Sequence, residues 1–218
     1  MSYKRKPIGQ KNKFFKSIEE HIEKNRKEYA ISVLFFLAGI IIGVMLINGS
    51  NMETQESVSG YIMEFVQSIK NNEYQIDEKK LLIKSIISNL KIAGILWIGG
   101  LTIIGIPLIY GTLGYKGICI GYSISAIIAS LDKPNGIIFA LSSMLLQNII
   151  AIPCILALSV SSMKMYKAII KNHSRENIKF EVYRHTIFSA FMVIGLLISS
   201  VIEILSTNIT SNVITNFI

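Results

Sequence analysis

The chain is short of charge. Of its 218 residues only 17% are Asp, Glu, Lys or Arg, where a soluble domain carries about a quarter. That shortfall, set against 51% hydrophobic residues, excludes an ordinary water-soluble domain. Histidine is scarce as well: His21, His173 and His185 fall in polar or boundary segments without HExxH or another ligand spacing, so no metal site is expected. The two cysteines, Cys119 and Cys154, sit in apolar runs and read as small packing residues rather than a disulfide framework. The segment GTLGYKG has glycines and a lysine but neither the Walker spacing nor a following Ser or Thr. A serine nucleophile with a histidine base at membrane depth is also expected to be missing, and no internal repeat is evident. Intrinsic catalysis and bound cofactors are therefore not expected.

What is present is a set of apolar blocks about twenty residues long, the length that crosses a hydrocarbon core of roughly 30 Å. The expected fold is all-α: a polytopic integral membrane helix bundle with five transmembrane helices and amphipathic helices on its outer surface. Charge sets the orientation. The net charge is +8, and of 22 Lys and Arg, nine precede Tyr29 and six lie between Ser161 and His185. The positive-inside rule places both segments in the cytoplasm, giving N-terminus in and C-terminus out. The basic start adjoins a span and is interleaved with Glu19, Glu20, Glu23 and Glu28, which points to the lipid bilayer and its anionic headgroups rather than to nucleic acid.

The chain divides accordingly. Residues 1–28 form a basic cytoplasmic segment, disordered around Pro7 and Gly9, then amphipathic with Phe14, Phe15, Ile18 and Ile22 on one side. Residues 29–48 are the first span, too long for the apolar core of a cleaved signal. Residues 49–91 are an outer amphipathic segment, and 92–206 hold spans two to five with a cytoplasmic loop at 161–185. Residues 207–218 are an outer tail. Within the bundle the second span is expected to end near Tyr110, with GTLGYKG and its Lys116 as a short cytoplasmic turn, and the third to stop at DKPNG. In the outer segment Ile62, Phe65, Val66 and Ile69 share the apolar face of a helix. That face either caps the bundle or docks an extracytoplasmic partner.

Helices in lipid gain nothing hydrophobic by touching, so close packing needs small residues and polar groups that bond across the gap. Gly99, Gly100, Gly105 and Pro107, the four-residue ladder that begins Gly117 and Gly121, and the amides Asn89, Gln147 and Asn148 with Pro153 supply these. Such faces pack within one chain or form a homodimer. Glu203 is the one carboxylate expected within a span. Pairing with Lys84 or Lys91 at the outer rim accounts for it, with a proton or ion site as the alternative.

Asn89, then Trp97 and GGLTIIGIPLIYGTLGYKG (99–117) with Gly121 and Tyr122, followed by LLQNIIAIP (145–153), resembles stage II sporulation protein M. The likeness covers nearly the whole chain. One departure is Leu146, where relatives are expected to carry proline, so a kink there rests on Pro153. The resemblance implies a multi-pass protein of the cell membrane on the mother-cell side of the sporulation septum. It implies a non-enzymatic scaffold for engulfment that recruits two peptidoglycan hydrolases, a lytic transglycosylase and an amidase/endopeptidase. The broken helices and mid-membrane amides also suit a transporter, or the permease subunit of an ATP-driven exporter.

Overall fold

The computed structural model describes residues 20, 22–71, 77–131, 133–171 and 175–217. The side Phe14, Phe15 and Ile18 were expected to form lies outside them. Among the described residues there is no strand, and five helices are long and apolar enough to cross a membrane.

Helix α1 (Arg26–Asn48) is the first span. At 1.5 Å per residue its 23 residues reach about 34 Å, enough to cross a bilayer. Its last carbonyls lack partners in their own helix. The side chain of Gln55 takes that role, donating to Ile47 O at 3.2 Å, Asn48 O at 3.3 Å and Ser50 O at 3.1 Å. Gln55 belongs to α2 (Met52–Lys70), which starts on Asn51, whose side chain accepts from Thr54 N–H at 3.1 Å. The strap therefore fixes where α2 leaves the first span. Helix α2 folds back onto the bundle, with Val66 and Ile69 each 5% exposed in one cluster with Phe139, and Phe65, Ile127 and Leu131 alongside.

Helix α3 (Glu78–Leu101), N-capped by Asp77, is the second span, and α4 (Gly105–Ser130) is the third. The chain turns between them at 102–104, not at GTLGYKG. Pro107 explains the position: lacking an N–H, proline is accepted in the first turn of a helix but not inside one. Pro107 is the third residue of α4, so the helix has to begin here. Through Gly111, Gly114 and Gly117 the helix continues unbroken. In water these glycines would favour a turn, but within a bilayer each backbone group needs an intrahelical partner. The correction moves Lys116 from a solvated turn to the middle of a span.

Helices α1 and α4 run parallel and meet backbone to backbone. A Cβ built on Gly39 would collide with the Gly114 carbonyl, on Gly43 with Ile118, on Gly117 with Phe36 and on Gly121 with Ile40. The faces expected to serve packing or a homodimer are thus engaged within one chain. Phe35 and Tyr110 stack beside them, ring centroids 4.4 Å apart.

The fourth span has three parts: α5 (Lys133–Ala140), a π-helical turn (Leu141–Leu145) and α6 (Leu146–Lys171). The wide turn leaves carbonyls exposed inside the bundle. Asn148 Nδ2 donates to Met144 O at 2.8 Å and Ser206 Oγ to Ser143 O at 3.4 Å. Helix α7 (Arg175–Phe217) carries the fifth span and is far longer than a bilayer needs. Residues 161–185, expected as a loop, are helical on both sides of 172–174, and residues 207–217 of the expected tail prolong α7. The two basic segments meet at one end of the bundle, where Lys167 Nζ lies 2.7 Å from Glu28 Oε1. Ser159 Oγ donates to Ser32 Oγ at 3.2 Å a little deeper, tying α6 to α1.

Candidate functional site

Four spans share an apolar core: Ile92, Ala93 and Leu96 of α3, Ile109 and Leu113 of α4, Ala151, Ile155 and Leu158 of α6, and Leu196 of α7. Side chains three or four residues apart share a helix face. Continuing each stripe one turn away from the basic end brings Asn89, Lys116, Gln147, and then Ser199 or Ser200 with Glu203. The four helices alternate in direction, so these positions fall in one layer. An apolar core half therefore gives way, inside the membrane, to a polar one.

Asn89 is 2% exposed. Its Nδ2 donates to Ser200 Oγ at 2.8 Å and Leu196 O at 3.3 Å, joining α3 to α7. Gln147 Nε2 donates to Glu203 Oε2 at 2.6 Å, joining α6 to α7. Glu203 was expected to pair with Lys84 or Lys91. It turns inward instead, while those lysines line a groove between α3 and α4. Lys116 is half-buried on the core stripe between Leu113 and Ile120. Among the described residues it has no carboxylate within 4.0 Å. An amine, a carboxylate and two amides thus occupy one level of the bundle, two of them bonded to each other, in a medium where charge is expensive and such groups usually face a partner or a pathway.

The remaining sequence candidates are dispersed. Gly99, Gly100 and Gly105 crowd the α3–α4 turn: a Cβ on Gly105 would strike Gly99 O and come 2.8 Å from Tyr166, and one on Gly100 would come 3.0 Å from His185 Nε2. Pro153 lies exposed within α6. Asn148 serves the π turn, since adjacent helical residues point about 100° apart. Val66 and Ile69, read as half of a docking face with Ile62 and Phe65, are buried within the chain against Phe139 and are not open to a partner. Sequence reasoning missed Lys116, although Ile109, Leu113 and Ile120 at i−7, i−3 and i+4 mark its stripe.

A second polar contact, also unexpected, lies near the basic end. Ser161 Oγ and His185 Nδ1 are 2.9 Å apart, both buried, beside a cavity of about 230 Å³ bounded by Lys164, Glu181 and Arg184. The expectation concerned a Ser with His at membrane depth, whereas this pair lies at the charged end of the bundle, where α6 and α7 form a helical hairpin that brings residues 24 apart in sequence together. Acyl transfer also needs paired N–H donors for an oxyanion. Ser161 lies well inside α6, where the neighbouring N–H groups are spent on the helix ladder. The pair is a clasp between helices. Ser161→Ala should lower the unfolding free energy in detergent by about 1 kcal/mol, and an unchanged denaturation midpoint would remove the clasp from the account.

Five spans, four of them around an interior polar layer, define a polytopic membrane protein. Comparison with family sequence patterns matches residues 32–208 to the family described as stage II sporulation protein M. The match covers most of the chain, and the protein belongs to that family: it is a sporulation-associated membrane protein. Neither the curated proteins nor the solved structures contain a match.

Proposed function

We propose that the protein is a non-enzymatic membrane scaffold for engulfment, holding a lytic transglycosylase and an amidase/endopeptidase at the septal membrane from the mother-cell side. The observation that carries this reading is α2. Gln55 straps one end of it and Val66 and Ile69 anchor the other, which turns the opposite face outward with Tyr61 73% exposed beside Met63 and Glu64. A rigid helix with an exposed aromatic is what a partner interface uses. By the positive-inside rule the basic end is cytoplasmic, which puts α2 on the side of the wall. Docking through Tyr61 replaces the face through Val66 and Ile69 expected from sequence.

Tyr61→Ala should cut the recovery of both hydrolases in a crosslinked pull-down from sporulating cells on the order of tenfold, with the amount of membrane protein unchanged. Equal recovery would sink the role of α2. The layer of Lys116, Gln147 and Glu203 favours a second reading, a transporter or an exporter's permease subunit, because such groups at membrane depth line substrate paths. Enrichment of a cytoplasmic ATPase without hydrolases in the same experiment would select it.

A further inference from the structure

On the outside of the bundle, α3 and α4 diverge around a cavity of about 670 Å³. Its apolar walls are Ile87, Ile92 and Ile95 from α3, and Pro107 and Leu108 from α4; Lys84, Ser88 and Lys91 mark one side. Among the described residues, none that lines it is acidic. Gly111 contributes bare backbone, since a Cβ built there would have nothing within 4 Å.

Lys84, Ser88 and Lys91 recur at i, i+4 and i+7 and share one face of α3. Both lysines are exposed, and both belong to a helix that crosses the membrane. An amine facing lipid needs a counter-charge or a route to the interface. Glu203, the carboxylate expected to supply the charge, bonds Gln147 in the interior. The route exists: Cα–Cβ bonds tilt toward a helix's N-terminus, and long lysine arms snorkel. For α3 that direction runs from Lys91 toward Lys84 and the Glu78 end, so the Lys91 arm reaches up the groove toward Lys84, whose Cα lies about two turns further along the helix.

We propose that this groove seats one anionic phospholipid, its phosphate held between Lys84 and Lys91 and an acyl chain lying along Ile95 and Leu108 over Gly111. Paired basic residues above an apolar cleft between spans are what recognises such a headgroup. A second copy of the chain is the poorer occupant. A two-fold contact through the groove would set Lys84 and Lys91 against their own copies, a like-charge meeting in a medium of low dielectric.

The test is native mass spectrometry of the full chain in neutral detergent, titrated with phosphatidylglycerol or with phosphatidylcholine of the same acyl chains. The wild type should retain phosphatidylglycerol roughly tenfold better. Lys84→Gln with Lys91→Gln should bind the two lipids equally, and Lys84→Arg with Lys91→Arg should keep the preference, which guards against a misfolded glutamine variant. Gly111→Leu should weaken retention of both lipids with the lysines in place, separating a seated chain from surface attraction. Equal retention of the two lipids by the wild type would overturn the proposal. So would an unchanged preference in the glutamine variant, wild-type binding by Gly111→Leu, or a dimer that forms in place of lipid-bound monomer.

Discussion

Gly117→Ala should destabilise the protein by about 3 kcal/mol, enough to empty the membrane of most of the folded chain, although alanine is the better helix former. The added methyl has nowhere to go. It would meet the Phe36 carbonyl and the backbone of Gly39 and Ile40, and backbone cannot rotate aside as a side chain can. Gly39, Gly43 and Gly121 are in the same position, each against the facing helix. Gly94→Ala is the control, because nothing lies within 4 Å of a Cβ there, and its effect should stay within about 0.5 kcal/mol. Denaturant titration of the purified protein in detergent compares the two. Equal midpoints for both variants would show that the contact of α1 with α4 is looser than described.

The second large effect belongs to the polar layer. Glu203→Leu deprives Gln147 of its acceptor and removes the carboxylate at the level of Lys116. A buried charge left without compensation is strongly destabilising. Lys116→Met alone leaves the carboxylate facing Gln147 and should be milder. The double variant replaces both charges by apolar groups and should recover about 2 kcal/mol relative to the sum of the single changes. Strict additivity in that cycle would show that the two groups do not sense each other across the bundle.

The number of spans and the existence of α2 were legible because both depend on hydrophobic periodicity, which the bilayer enforces. The position of the α3–α4 turn was not. Gly111, Gly114 and Gly117 look like punctuation by the rules of aqueous chains, but a bilayer withdraws the water that would satisfy an open turn. Pro107 carried the signal, as a residue confined to a helix's first turn. That misplacement hid Lys116 as a residue within a span. Asn89 and Gln147 were recognised as interior groups from their type alone. Their bonds to Ser200 and Glu203 depend on the relative rotation of helices more than fifty residues apart, which composition does not encode. The apolar face of α2 was found correctly, whereas its occupant, Phe139, came from the fourth span. Ser161 and His185 escaped notice for a related reason, since α6 and α7 bring them together only once the hairpin closes.

The parallel glycine contact also dictates an order of events during synthesis. Helix α1 emerges first, yet the backbone it is shaped to touch, from Gly114 to Tyr122, follows an entire intervening span. Until α4 has been made and inserted, the first span waits in the lipid with its groove bare, while α3 and α4 are free to zip together as neighbours in sequence. This backbone-to-backbone contact thus cannot form until the third span is in place, and a nascent chain halted before residue 114 leaves an unpaired glycine face exposed to any other helix in the membrane.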